Sequence, residues 1–278
     1  MGPISNYLLK VIGSPVLNIS PVSREHFDEF ANCGHTLFRA VAAAQEVAVH
    51  RRAIANAVRR LAVKIPDLDK RDTYGKAFLQ VTNLWEKDDA VKRFVFEKKF
   101  AQIAADLLGV EKVRLYHDQA LFKEPGGGHT PWHQDQYYWP LDTDKIITMW
   151  MPLVDIDDEM GMVTFASGSH AGGAIENVEI SDKSEELLAA HISERGFPVA
   201  KAASMNAGDA TFHLGWTIHS AGPNHSDRMR EAMTIIYFAD GARITKPRSV
   251  HQQADLDRWF PGQHPGELAS SPLNPILN

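Results

Sequence analysis

Apolar residues recur at three- and four-residue spacing through residues 42–63 and again through 91–108, where the pattern stops at Gly109. That is the period of an amphipathic helix. A third helix start is written at Ser23-Arg24-Glu25-His26, with Ser23 as cap and Phe27, Phe30 and Ala31 as an apolar stripe. Residues 22–108 therefore read mostly as helix. Near Val110 the pattern changes to short apolar runs separated by turn residues. Residues 113–122 predict a strand, broken by Glu124-Pro125-Gly126-Gly127-Gly128. Further strands are predicted over 146–154, 162–166, 199–205, 210–213 and 232–238, with turns at 155–161, 206–209 and 222–224. One helical segment, 181–195, interrupts them, and the last 30 or so residues, with several prolines, predict an irregular wrap.

Many short strands preceded by helices predict a mainly β fold, a barrel or sandwich buttressed by N-terminal helices. The lack of regular strand–helix alternation argues against a doubly wound sheet. The expected organisation is one domain over 1–278: a mostly helical support to 110, a β core over 111–240, and a C-terminal wrap over 241–278. The triple glycine lacks the Lys-Ser/Thr of a phosphate loop and opens no helix.

Composition narrows the function. Apolar residues make up 44% and charged residues 23% of 278, an ordinary globular balance with a core large enough to need no staple. The formal charge of −6, without a basic stripe, argues against a nucleic-acid partner. Arg51-Arg52 and Arg59-Arg60 read as solvated surface. The single cysteine, Cys33, excludes an internal disulfide, fits a reducing cytosol, and reads as a small buried hydrophobe in a helix. No apolar run is long enough to span a bilayer. The N-terminal stretch lacks a basic segment, and Asn6 stands where myristoylation after Met1-Gly2 would want Ser or Thr. The expectation is a cytoplasmic protein with a small-molecule substrate and no membrane partner; nothing in the sequence points to an oligomeric state.

Chemistry concentrates in Thr130-Pro131-Trp132-His133-Gln134-Asp135. On an extended strand His133 and Asp135 share a face and can reach one metal ion. An imidazole and a carboxylate are two of the three ligands of the facial triad of non-haem iron oxygenases. A third is expected where His219 ends a strand before a turn, and Arg230, eleven residues later, can clamp a carboxylate with its planar fork. His213, only six residues before His219, is the rival ligand.

Residues 113–240 resemble the phytanoyl-CoA dioxygenase family of 2-oxoglutarate oxygenases. The matching pieces are Trp132-His133-Gln134-Asp135, Gly168-Ser169-His170, Gly208-Asp209, and His219-Ser220-Ala221-Gly222-Pro223-Asn224-His225-Ser226 followed by Arg230. The resemblance implies a double-stranded β-helix (jelly-roll) core. It also implies Fe(II) held by His133, Asp135 and His219, 2-oxoglutarate as co-substrate at Arg230, and O2 as oxidant. The activity implied is hydroxylation of an unactivated C–H bond with release of succinate and CO2. Gln119 and Trp150 fall where the family contacts the co-substrate. Ala221 departs from the family, which often has a serine there, while Ser220 would face the other side of a strand. Asp135 favours hydroxylation over halogenation, since halogenating relatives carry a small residue at that position.

Other readings stay open. A zinc hydrolase or a non-catalytic binding protein could use the same fold, though a hydrolase has no need of Arg230 and the intact triad speaks against a binding protein. His170 reads as structural; His117, His129 and His225 could line a pocket mouth but read first as surface or supporting residues. Tyr137-Tyr138-Trp139 is either core or substrate wall, and Arg243, Lys246 and Arg248 form a solvated basic patch.

Overall fold

The computed structural model describes residues 22–175 and 178–278; the N-terminal stretch weighed above for a signal or an acyl group lies outside them. Among the described residues no helix is long and apolar enough to cross a membrane.

Helix α1 (Arg24–Cys33) begins where Ser23 accepts from His26 N and stops at Gly34 in the left-handed conformation, φ 77°. Of its expected stripe only Phe30 is buried; Phe27 is 40% exposed and Ala31 is exposed. Cys33, its last residue, is half-buried rather than enclosed. Strand β1 (His35–Phe38) follows, then α2 (Ala44–Leu61), α3 (Thr73–Ala77), β2 (Leu79–Thr82), α4 (Asp89–Val95) and α5 (Lys98–Leu108). The single helical pattern over 91–108 is thus the tail of one helix and all of a second. The core strands are β3 (Val113–Lys123), β4 (Thr130–His133), β5 (Ile146–Pro152), β6 (Ile156–Asp157) and β7 (Val163–Ala166). After helix α6 (Asp182–Arg195) come β8 (Val199–Ala200), β9 (Ser204–Met205), β10 (Ala210–Leu214), β11 (His219–Ala221), β12 (Arg230–Ala239) and helix α7 (Val250–Trp259).

The strands form a six-stranded sheet, β1-β10-β5-β12-β3-β2, a four-stranded sheet, β4-β11-β7-β8, and the pair β6-β9. Every pairing is antiparallel. Strands β1 and β2 add to a region that is otherwise mostly helical, as expected. Each is four residues long, too short to display a period, and each exists because it pairs with an edge of the large sheet. The strand expected over 199–205 is two short ones, because the chain there crosses from β7 to β6. The expected irregular C-terminal wrap contains α7, capped by Ser249 on Gln252 N.

The large sheet is buried on both faces. Its outer face presents Phe122, Met149, Phe212, Met233, Ile235 and Tyr237 to Val47 and Ile54 of α2, Phe94 of α4, and Phe100, Ile103 and Leu107 of α5. Burying each such side chain stabilises the fold by about 1.5–3 kcal/mol. The inner face is more polar, and the cavity lies between it and the small sheet. Register decides which residues reach that cavity. Ile236 pairs with His117 but Tyr237 with Leu115, so Tyr116 is an extra residue in β3. The bulge reverses the alternation: Leu115 packs under the helices, while His117 turns to the cavity. Tyr116 joins Trp139, Ile236, Phe238, Leu256 and Trp259 in a second cluster that seats α7 across one end of the cavity.

Candidate metal centre and co-substrate site

His133 closes β4 and His219 opens β11, and the two are direct cross-strand partners. Their rings stand 4.0 Å apart, centroid to centroid. Each imidazole is oriented from behind. His133 Nδ1 lies 2.7 Å from Pro131 O, and His219 Nδ1 lies 3.0 Å from Thr217 O. A carbonyl only accepts, so Nδ1 carries the proton in both rings and Nε2 presents a lone pair inward. Asp135 arrives differently from expectation. It is not on an extended strand but begins a short 3-10 turn, Asp135–Tyr138, directly after β4. That turn brings Oδ1 to 3.5 Å from His133 Nε2 and 3.8 Å from His219 Nε2. His219 likewise starts its strand instead of ending one.

The ligand atoms of these three residues all lie within 4.8 Å of one another. Two imidazole lone pairs and a carboxylate oxygen facing each other are mutually repulsive acceptors, and a divalent cation among them resolves the conflict. Burial tends to raise Asp135, but His219, His133 and His213 outweigh it and hold the carboxyl well below its usual range. Burial, then neighbouring His133, pushes His219 well below the ordinary imidazole value, against the pull of Asp135. The donor set is therefore ready for a metal: neutral imidazole and ionised carboxylate.

Two residues of the large sheet that the sequence reading did not place as supports stand behind Asp135, one bonded to it and one close by. Thr148 on β5 donates to Asp135 Oδ2 at 3.2 Å. His213, the rival ligand, pairs with Thr148 across the β10–β5 ladder. Its Nε2 is 3.7 Å from Asp135 Oδ2, and it is buried with neither ring nitrogen hydrogen-bonded among the described residues. It stands behind the carboxylate, outside the group of three.

Arg230 opens β12 and is 1% exposed. Its Nη1 donates to Gly161 O at 2.8 Å and Nη2 to Leu121 O at 3.2 Å, while Nε has no partner. Trp150 lies beneath the guanidinium, 5.4 Å from ring centroid to Cζ. Among the described residues no acid pairs with it, and burial lowers it to about 9. A buried arginine held by carbonyls and a ring fits an incoming carboxylate. Gln119, whose Oε1 accepts from Gln80 at 2.6 Å, lines the same cavity, as do Trp150 and the three candidate ligands. Ser220 and Ala221 both border the cavity, and the ladder register sets Ser220 opposite Thr164 and Ala221 opposite Val163.

The family model for phytanoyl-CoA dioxygenase (PhyH) matches residues 30–232. The chain belongs to this family. A probable alpha-ketoglutarate-dependent hypophosphite dioxygenase of Stutzerimonas stutzeri is 29% identical over 157 residues, 55% of this chain and 54% of the relative. The chain thus matches about half the length of that protein. Among solved structures, the alpha-ketoglutarate-dependent carbocyclase SnoK from nogalamycin biosynthesis superposes with a TM-score of 0.75 at 24% identity, covering 93% of this chain and 97% of that one. The epimerase SnoN in complex with Fe3+, alpha ketoglutarate and nogalamycin RO gives 0.72 at 25% identity, covering 91% and 98%. The two facing antiparallel sheets form a jelly-roll core like that of these solved structures.

Beyond the three candidate ligands the cavity is walled by residues that the motif reading did not reach. Tyr74 and Phe78 come from around α3, Gln80 and Thr82 from β2, and Asp255, Arg258 and Trp259 from α7. Neither was legible in the sequence: Leu79-Gln80-Val81-Thr82 is too short to display a period, and the inward face of α7 depends on packing between distant segments. His117 is buried in this wall rather than at the surface, its ring 4.6 Å from that of Trp259 and tilted by 31°, and burial lowers it to about 4. Tyr138 and Trp139 line the cavity, and Trp139 also packs in the core. His170 is half-buried beneath Gly34, with Nδ1 unpartnered, and no further role attaches to it.

Proposed function

We propose that this protein is an Fe(II)- and 2-oxoglutarate-dependent dioxygenase that hydroxylates an unactivated C–H bond of a small molecule. The observation that carries the reading is the meeting, in one cavity, of His133, Asp135 and His219 with a buried arginine that has no acidic partner among the described residues. A hydrolase needs the first and has no use for the second.

In this reading His133, Asp135 and His219 hold the metal, and Arg230 takes the distal carboxylate of 2-oxoglutarate. The bound iron and co-substrate supply the oxidising power, with succinate and CO2 as by-products. The chain supplies position. Pro131 and Thr217 carbonyls fix the two imidazoles, Thr148 fixes the carboxylate, and Trp150 with the Gly161 and Leu121 carbonyls fixes the guanidinium. Asp135 occupies the position that a halogenating enzyme would leave open, which favours hydroxylation. The substrate lies against Tyr74, Tyr138, His117 and Trp259, under α7, where aromatic faces accept an apolar body and exclude water from the reacting carbon.

The test is aerobic incubation with Fe(II), 2-oxoglutarate and a panel of small molecules, with succinate measured. Succinate release that rises with a panel member and disappears in Arg230→Met supports the reading. Tight zinc in the purified protein, with ester or amide hydrolysis that survives Arg230→Met, overturns it.

A further inference from the structure

Arg230 is not the only cation buried at this corner. Lys123, the last residue of β3, is its direct partner in the β3–β12 ladder, so both side chains leave the same face of the sheet. Lys123 is 0% exposed. Its Nζ donates to the Gly128 carbonyl. Its stem runs under Gly161, where an added Cβ would stand 3.1 Å from Lys123 Cδ. The carbonyl of that same glycine receives Arg230. The two cations therefore share one wall.

The surrounding charges are committed elsewhere. Glu124, next along the chain, turns to Arg71 at 2.5 Å. Glu231, next to Arg230, leaves the opposite face and pairs with Arg51 at 2.7 Å. Arg228 rests against Met160 Sδ at 3.2 Å. Lys76 and Glu159 meet the neighbouring loops through backbone carbonyls, which accept from Gly128 N and His225 N. Among the described residues no acid pairs with Lys123 or Arg230. Two like charges in a dry corner are costly, and the cheaper state discharges the one that can lose a proton. Burial, then Arg230, lowers Lys123 to about 6, so at neutral pH this chain alone carries an amine there.

We propose that Lys123 is a second cation of the co-substrate site: when a dicarboxylate places its distal carboxylate on Arg230, one proton moves from solvent onto Lys123. This rests on the 2-oxoglutarate reading above. The incoming negative charge offsets the repulsion that keeps Lys123 uncharged, and the corner closes as guanidinium, ammonium and carboxylate. Affinity then depends on pH through Lys123: because a proton is taken up on binding, 2-oxoglutarate binds more weakly as pH rises above neutrality.

The experiment is isothermal titration of 2-oxoglutarate into the nickel-loaded protein at pH 7.5, in phosphate and in Tris, whose ionisation enthalpies differ. The proposal expects heats that differ between the buffers by an uptake approaching one proton per ligand. Lys123→Met is expected to bind about tenfold more weakly with no buffer dependence. Lys123→Arg, permanently charged, is expected to keep its affinity within a few fold and also lose the dependence, which separates lost charge from lost folding. Equal heats in both buffers for the parent, or an uptake that persists in Lys123→Arg, would overturn it. Absence of any 2-oxoglutarate binding to the parent overturns the co-substrate reading itself.

Discussion

His133 and His219 face each other as direct partners across the β4–β11 pair, with ring centroids 4.0 Å apart. One ladder register thus assembles two-thirds of the candidate metal site, and the turn at Asp135 adds the rest. Supports behind Asp135 should matter less than the ligands but measurably. Thr148→Val and His213→Phe are each expected to weaken metal binding about tenfold, against near-total loss in His219→Phe. Competition with a chromogenic chelator measures this. Equal loss in His213→Phe and His219→Phe would make the rival histidine a ligand.

Gly161 carries φ 76°, and a Cβ there would overlap the Gly222 carbonyl. Its own carbonyl holds Arg230 Nη1. Gly161→Ala should therefore shift the guanidinium and weaken 2-oxoglutarate binding by about tenfold or more, while metal binding, which uses other elements, stays within a few fold. Titration of each ligand separately distinguishes the two. A parallel loss of both would mean a general collapse of the cavity.

The chemistry was more legible than the scaffold. His133 and Asp135 sit two residues apart, and His219 and Arg230 flank a short loop, so spacing together with the family resemblance singled them out as candidates. What stayed hidden depends on pairing between distant segments. His35-Thr36-Leu37-Phe38 is a strand only because β10 offers an edge, and Trp259 reaches the cavity only because α7 packs on Tyr116. The turn at Asp135 was hidden too, since an extended chain would also have placed His133 and Asp135 on one face. Arg51 lies at the surface as expected, but its two-point clamp on Glu231 was not legible.

That clamp ties α2 to β12 next to Arg230. Arg51 Nε and Nη2 donate to Glu231 at 2.7 and 2.8 Å, and the carboxylate is nearly buried while the arginine is about half exposed. Arg51→Leu leaves a buried carboxylate unpaired, and with solvent screening the loss should be about 1–2 kcal/mol. Arg52→Leu, at an exposed neighbour, should cost less than about 0.5 kcal/mol. Urea unfolding of both variants checks the difference.

Acid stability should report on His35. Burial, then His213 and His170, lowers it to about 4, with its Nε2 bonded to Ser167 Oγ at 2.8 Å and its ring stacked on Phe165. The folded protein then binds this proton less readily than the unfolded chain. Its contribution is full above about 6.5 and is lost as pH falls toward 4, at up to about 1.4 kcal/mol per pH unit. Asp118 and Asp255, both raised to about 7 by burial, act in the opposite sense over much of the same range. The difference between parent and His35→Gln isolates the histidine: the variant's unfolding free energy should fall less steeply between pH 6.5 and 4. Parallel curves would place His35 outside the linkage.

The most direct measurement is the visible spectrum of the anaerobic protein mixed with Fe(II) and 2-oxoglutarate. The account predicts a weak metal-to-ligand charge-transfer band that is absent in His219→Ala and lost or displaced in Arg230→Ala. A parent protein that shows no band, and that retains zinc tightly when iron is offered, would contradict it.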